Sequence, residues 1–191
     1  FRSERALELA ERGALDAAES VDLQAHLAPV DRHQLIGYLA LRRRDYPRAA
    51  AELERAVQLD PGRRAAWLYL GVARHHLGEP AASLEALRRA ERVGQRYPDY
   101  FTLRARSERL AETSTAAWST LERGLARFAS DPGMLREQVS LLLEIGAHRP
   151  ALARAERLYE RRPRPERDRR WVVRSLIDAG ALEDAAVALE A

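Results

Sequence analysis

The 191-residue chain contains no cysteine and no lysine, and these two absences exclude several kinds of chemistry. Without cysteine there is no thiolate nucleophile, no disulfide and no cysteine zinc site. Without lysine there is neither a Walker-type phosphate-binding loop nor an amine that forms a Schiff base. All 32 strongly basic residues are therefore arginine, and with 29 acidic residues they leave a formal net charge of +3.

Long apolar runs and catalytic motifs are missing as well. No stretch approaches the ~20 apolar residues that a membrane-spanning helix needs, so we expect no membrane insertion. No Gly-x-Ser-x-Gly elbow is present, and we predict neither enzymatic activity nor a cofactor. His75 and His76 diverge by roughly 100° on a helix, so we expect no metal site there. The lack of cysteine suits the cytoplasm and a bacterial periplasm equally, which leaves the compartment open.

The dominant feature that is present is a period of 34 residues. Small residues recur at this spacing at Ala49, Ser83, Ala117, Ala151 and Ala185. A second set lies twelve positions earlier, at Gly37, Gly71, Ala105, Val139 and Val173. Gly78, Gly146 and Gly180 lie five positions before a small residue, where a helix must stop and turn back. Because short side chains let two helices approach closely, each period is predicted to be a helix hairpin that stacks on its neighbours.

One of these periods contains Trp67-Leu68-Tyr69-Leu70-Gly71, which reads W-x2-L-G. The stretches Ala49–Ala56 and Ser83–Ala90 add the spacing small-x3-Leu-x2-Ala. With these motifs residues 30–191 resemble the tetratricopeptide repeat family. The resemblance implies an all-α fold, an α-solenoid in which antiparallel helix pairs wind into a right-handed superhelix.

The predicted organisation is about five 34-residue repeats preceded by a degenerate helix pair. The approximate boundaries are 1–29, 30–63, 64–97, 98–131, 132–165 and 166–191. We expect them to form a single domain over residues 1–191, and we interpret the chain as a fragment of a longer protein. It begins at Phe1 rather than methionine, and it ends within a helical pattern.

Two repeats carry local predictions that the structure can test. In residues 30–63, Asp31 is a candidate N-cap of the first helix, and Pro47 suits the first turn of the returning helix. In residues 98–131, Arg104 and Glu108 fall where apolar residues are expected. A stripe one residue earlier would be more apolar, so the register of this helix stays open. That stripe consists of Tyr100, Leu103, Ser107 and Leu110.

The resemblance also implies a concave groove lined by the first helix of each pair. Residues about one turn apart and off the core stripe point into such a groove. The predicted partner-binding residues are Gln34, Tyr38, Arg42, Leu68, Val72, His75, Arg106, Arg109, Arg136, Ser140, Arg170 and Arg174. The first half of this set is mixed and partly apolar, and the second half is basic.

Guanidinium groups bind carboxylates through two parallel hydrogen bonds, so the basic half indicates an acidic partner. The alternative is a solvated face on which the arginines pair with acids of the same chain. The candidate acids for that pairing are Glu108, Glu137, Glu144 and Asp178.

Together these features predict a scaffold that binds a peptide or helical segment of another protein. The two-carboxylate clamp known in the family uses lysine and asparagine, and this chain contains neither, so we do not expect that type of binding. One alternative is binding of an anionic polymer, a nucleic acid or an acidic polysaccharide, by the arginine-rich C-terminal part of the groove. Nucleic acid is the less favoured partner, because polar residue pairs that read bases are missing. The other alternative is self-association as a homodimer through the last helix.

Overall fold

The computed structural model describes residues 27–159, 166–178 and 180–190, and all regular structure in these residues is helical. The prediction of an all-α fold is therefore confirmed. The helices are α1 (Pro29–Arg42), α2 (Tyr46–Leu59), α3 (Arg64–His76), α4 (Pro80–Arg89), α5 (Glu91–Gly94), α6 (Pro98–Ala111), α7 (Ser114–Arg127), α8 (Pro132–Glu144), α9 (His148–Tyr159), α10 (Glu166–Asp178) and α11 (Leu182–Glu190). The predicted N-terminal helix pair lies almost wholly outside the described residues.

Ten of the described helices pack as antiparallel hairpins joined by short turns. The hairpins are α1–α2, α3–α4, α6–α7, α8–α9 and α10–α11. Contacts divide the chain into two compact units, the first ending at Arg96 and the second beginning at Tyr97. The first unit contains α1 to α5, with the short α5 packed against α3 and α4, and the second contains α6 to α11. The single continuous domain stays a prediction.

The small residues of the 34-residue period lie in the seams between paired helices. All five members of the set that begins with Ala49 are buried. In the second hairpin, a Cβ on Gly71 would lie 2.7 Å from Leu87 Cγ, a distance that real Cβ atoms do not show. Gly37 stands in the same relation to Leu53 in the first hairpin. The helices therefore touch at backbone level, as the spacing of small residues predicted.

The glycines of the period occupy turns that only a residue tolerant of left-handed backbone fits well. Gly78, Gly146 and Gly180 have φ values of 76°, 71° and 74°, which confirms the prediction that helices end there. In the first hairpin the equivalent position is Arg44, and its φ is 62°. Residues that have a side chain rarely adopt this backbone conformation, so Arg44 carries backbone strain that the three glycines avoid.

Side chains cap the first turns of three of the described helices. The side chains of Asp45, Thr113 and Asp131 accept hydrogen bonds from backbone N–H groups at the starts of α2, α7 and α8. These bonds satisfy donors that a helix leaves without an intrahelical partner. Pro47 lies in the first turn of α2, as predicted.

The predicted N-cap role of Asp31 is wrong. Helix α1 begins at Pro29, and Ala28 occupies the cap position without a side-chain hydrogen bond. Proline has a φ preset for a helical first turn, so the helix starts two residues before the aspartate. Asp31 lies inside the first turn, and its carboxylate forms an ion pair with Arg63 at 2.7 Å.

Helix α6 keeps the 34-residue register, although polar residues stand in its buried face. Ala105 is buried at the position equivalent to Gly37 and Gly71. Glu108 is also buried, and its Oε1 accepts a hydrogen bond of 2.9 Å from Arg104 Nε. Tyr100 and Ser107 of the alternative stripe are buried as well, whereas its last member, Leu110, is 60% exposed. An ion pair has taken the place of the expected apolar pair, so the charged residues did not shift the helix.

Candidate partner-binding surfaces

In the first unit, α1 and α3 are neighbours and share a surface. The ring of Tyr38 on α1 lies against the ring of Tyr69 on α3, with the two centroids 4.8 Å apart and the planes at 49°. Six predicted partner-binding residues lie on these two helices. We call this set the α1–α3 face: Gln34, Tyr38, Arg42, Leu68, Val72 and His75.

These six residues have different degrees of exposure. Gln34 and Tyr38 are buried, so they form the floor of the face. Leu68, Val72 and His75 are half-buried. Contact with a partner would therefore fall first on these three residues and on Arg42.

The remaining residue, Arg42, is exposed at the end of α1. Its Nη1 donates a hydrogen bond of 3.2 Å to the Tyr38 hydroxyl, which orients the guanidinium beside the floor. The surface is thus apolar and aromatic, with a cation at one end.

Two aromatic contacts at this end of the first unit were not predicted. Tyr69 joins α1 to α3 through Tyr38, and its only signal in the sequence is its place inside the W-x2-L-G motif. Tyr46 of α2 stacks on His76 of α3, with the centroids 4.4 Å apart and the planes at 14°. His75 and His76 meet edge to face at 5.6 Å. The Tyr38–Tyr69 and Tyr46–His76 contacts join residues of different helices, which local spacing does not reveal.

In the second unit, ion pairs link the equivalent helices α6 and α8. Arg106 Nε donates a hydrogen bond of 2.6 Å to Glu137 Oε1, and Arg109 forms an ion pair with Glu144. Both pairs run from one first helix to the next. We call the predicted residues on these helices the α6–α8 face: Arg106, Arg109, Arg136 and Ser140.

The arginines predicted to receive an acidic partner thus pair with carboxylates of their own chain. Glu137 is buried, so its pair with Arg106 is partly removed from water. The Arg109–Glu144 pair is more exposed, and exposed pairs contribute only about 0.2–1 kcal/mol each. At these two positions the structure shows the alternative in which arginines pair with acids of the same chain. A carboxylate of a partner would have to compete with Glu137 and Glu144 for them.

Arg104 lies on the same helix but belongs to the interior. Burial by itself would lower the pKa of its guanidinium, whereas hydrogen bonds to Glu108 and to the Tyr100 hydroxyl raise it, and the net pKa is raised. Arg104 is therefore always protonated and stays paired with Glu108. Its role is structural, and it does not offer a cation to a partner.

The last hairpin carries a groove of about 370 Å³. It contains the two remaining predicted residues, Arg170 and Arg174, both exposed on α10. We call it the end groove, and its lining is Arg169, Arg170, Val173, Arg174, Ile177 and Leu189. Arg174 lies 4.0 Å from Asp178, and the two side chains are 85% and 72% exposed. Such a pair is weak, so Arg174 can change partners at little cost.

Other chemistry finds no support in the described residues. They contain no group of three or more His, Asp or Glu side chains placed to hold a metal ion. No helix in the described ranges is long and apolar enough to cross a membrane.

Comparison with known proteins adds the family. Residues 35–101 match the family model described as tetratricopeptide repeat. That match runs from the middle of α1 through α2, α3, α4 and α5 to the start of α6. Comparison of the sequence with curated proteins gave no match.

Several solved structures share the fold. PilF from Pseudomonas aeruginosa is 14% identical, with a TM-score of 0.72 over 98% of this chain and 86% of that one. TTC0263, a thermophilic tetratricopeptide-repeat protein of Thermus thermophilus, is 21% identical, with a TM-score of 0.67 over 92% and 97%. YrrB, a tetratricopeptide-repeat protein with an unusual peptide-binding site, is 18% identical, with a TM-score of 0.65 over 83% and 82%.

Residues 35–101 match the tetratricopeptide repeat, and the fold of the chain is that of solved tetratricopeptide-repeat proteins. Proteins of this class generally mediate protein–protein interactions and are generally scaffolds without catalytic activity. At these sequence identities the solved structures are evidence for the fold alone.

Proposed function

We propose that this protein is a scaffold that binds a peptide or helical segment of a partner protein. The observation that carries the proposal is the α1–α3 face. There Leu68 and Val72 are half-buried over a floor of buried Tyr38, and Arg42 stands exposed at one end. An apolar strip beside a cation suits an amphipathic segment that presents apolar side chains at one-turn spacing.

The α6–α8 face of the second unit supports an acidic segment of a partner protein. Its arginines point to carboxylates, and the exposed Arg109–Glu144 pair can exchange its intramolecular acid for one on the partner. The Arg106–Glu137 pair resists such exchange, because Glu137 is buried and would lose its counter-charge. We therefore expect the partner to engage Arg109 more readily than Arg106.

A polyanion is a weaker candidate for this face. Glu137 and Glu144 place negative charge between the arginines, and they would repel a chain of phosphates or sulfates. Binding to nucleic acid should also weaken steeply between low and physiological salt. A segment held mainly by apolar contacts should respond far less, so a salt titration separates the two partner classes.

The proposal is tested by affinity capture from the native extract. We would compare the unaltered chain with Leu68→Ser/Val72→Ser and with Arg106→Glu/Arg109→Glu. The bound protein is identified by mass spectrometry, its binding segment is mapped with synthetic peptides, and the peptide is titrated against each variant. We expect each variant to bind a peptide mapped to the face that it alters at least tenfold more weakly.

Two controls make the comparison specific. Leu59→Ser removes a large exposed side chain from α2, away from the α1–α3 face. Arg123→Glu/Arg127→Glu reverses two exposed charges on α7, away from the α6–α8 face. Circular dichroism establishes that every variant is folded. Equal binding by face variants and controls would refute the proposed surfaces.

A further inference from the structure

We propose that the end groove is a self-association surface, and that its occupant is helix α11 of a second copy of this chain. The inference comes from the chemistry of the last hairpin and does not rest on the proposed function. It concerns only α10 and α11 of the second unit.

The lining of the end groove sets what can occupy it. Its apolar part is formed by Val173, Ile177 and Leu189, and Ile177 and Leu189 are 50% and 62% exposed. Its rim contributes three guanidinium groups from α10. An occupant must therefore present large aliphatic side chains to the floor and carboxylates to the rim.

Helix α11 has this character itself. It contains no basic residue, and its first turn carries Glu183 and Asp184. Leu182, Val187 and Leu189 are all more than half exposed on its outer side. Steps of seven residues place Leu182 and Leu189 on one stripe, whereas Val187 lies about 140° away around the helix, beyond Glu183. The helix thus offers an aliphatic surface flanked by acid.

Of the two acids in the first turn, Glu183 is the one that a second copy can reach. Asp184 lies 3.8 Å from His148 of the same chain and is largely covered. Glu183 is exposed on the outer side of the helix. On the receiving side, the pair that Arg174 forms with Asp178 is weak, so a carboxylate from another copy can replace Asp178.

The positive groove and the acidic helix belong to the same hairpin, so the surface is complementary to itself. A two-fold arrangement places α11 of each copy in the groove of the other, and every contact then occurs twice. Exposed aliphatic residues from both copies are removed from water at the centre, while the charges lie around them. Because only one hairpin per copy contributes, we expect a weak, concentration-dependent dimer.

The test measures the mass of the 191-residue chain by sedimentation equilibrium over a range of concentrations. The monomer has a mass of 21.6 kDa, and we expect the measured mass to rise towards twice this value. Two charge-reversed chains are compared with it. One carries Arg170→Glu and Arg174→Glu, and the other carries Glu183→Arg. Each should dimerise at least tenfold more weakly, because like charges meet at both contacts.

Mixing the two reversed chains gives the decisive result. In a mixed dimer the acidic groove of one chain receives the basic helix of the other, and the second contact pairs an acidic helix with a basic groove. A 1:1 mixture should therefore recover the association that neither chain shows alone. Arg92→Glu/Arg96→Glu reverses the same number of exposed charges in the first unit and should leave the mass curve unchanged.

A further variant removes an apolar contact without depending on charge. Leu182→Ser alters an exposed residue of the α11 stripe and should also weaken dimerisation at least tenfold. Circular dichroism confirms that each chain is folded before its mass is interpreted. The proposal is overturned by a wild-type chain that stays monomeric at several hundred micromolar. Reversed chains that associate like the wild type, or a mixture that stays monomeric, would overturn it equally.

Discussion

Arg104 and Glu108 form an ion pair at 2.9 Å within α6, and their side chains are only 12% and 4% exposed. The two residues stand where the repeat pattern calls for apolar side chains. Glu108 Oε1 accepts the arginine hydrogen bond, whereas its Oε2 is buried without a partner in the structure. The pair therefore keeps two charges compatible with burial, but it satisfies the carboxylate incompletely.

The first prediction concerns this pair. Glu108→Leu alone should lower the free energy of unfolding by about 3 kcal/mol, because Arg104 would be left charged and largely buried. The double variant Arg104→Met/Glu108→Leu should be at least as stable as the wild type, since it restores an apolar pair. Urea denaturation followed by circular dichroism measures both values. A double variant less stable than the wild type would show that the ion pair stabilises more than apolar packing does.

The second prediction tests the close approach of α3 and α4. Gly71→Leu should destabilise the protein by roughly 1–3 kcal/mol, because any Cβ at this position collides with Leu87. Ala82→Leu introduces the same side chain at an exposed position of α4 and should change stability by less than about 0.5 kcal/mol. Thermal melting of the two variants compares them directly. Equal melting temperatures would count against the backbone-level contact.

A third prediction follows from the strained turn at Arg44. Arg44→Gly should raise the free energy of unfolding by about 0.5–1 kcal/mol, because glycine adopts a φ of 62° without the steric cost that arginine has. Gly78→Arg, at the equivalent position of the next repeat, should lower it by about 1–2 kcal/mol. A Cβ at Gly78 meets no atom within 4 Å, so this loss would report backbone strain alone. Opposite shifts of the urea midpoints are expected, and shifts of the same sign would contradict the assignment.

The fourth prediction addresses the charge of the partner. Glu144→Gln removes the acid that pairs with Arg109, so it should increase affinity for an acidic peptide by roughly two- to fivefold, in line with the small value of an exposed pair. The effect should shrink at high salt, because exposed charges are screened. Isothermal titration with the mapped peptide at low and high salt measures the affinity and its salt dependence. The control is the same peptide with its acidic side chains converted to amides. Unchanged affinity for the acidic peptide would argue that the α6–α8 face takes no part in binding.

Sequence reasoning was reliable where structure depends on local periodicity. The small residues from Ala49 onwards, the helix ends at the three glycines and the place of Pro47 all follow from spacing along one or two helices. It failed for Asp31, because Pro29 started the helix earlier, and it left open the register of α6, where Glu108 is buried and Leu110 is exposed. In both cases a local preference competed with another local feature, and only the fold showed which one prevailed.

The contacts of the predicted binding residues depend on the packing of different helices. The spacing predicted that Arg106 and Arg109 face the groove, but it could not predict which acidic residues pair with them. Glu137 and Glu144 follow them by 31 and 35 residues, and the pairing depends on how two hairpins pack. The contact between Tyr38 and Tyr69, also 31 residues apart, was missed for the same reason.

The amino-acid sequence alone determined that this protein is a series of helix hairpins, because the 34-residue period encodes where helices touch and where they turn. Tertiary structure decided which arginines are neutralised by glutamates, and that Val173, Ile177 and Leu189 line a groove rimmed by arginine. Helix periodicity reports the direction of a side chain from its own axis. The charges and apolar groups that it meets come from other helices, whose distance and rotation are set by packing.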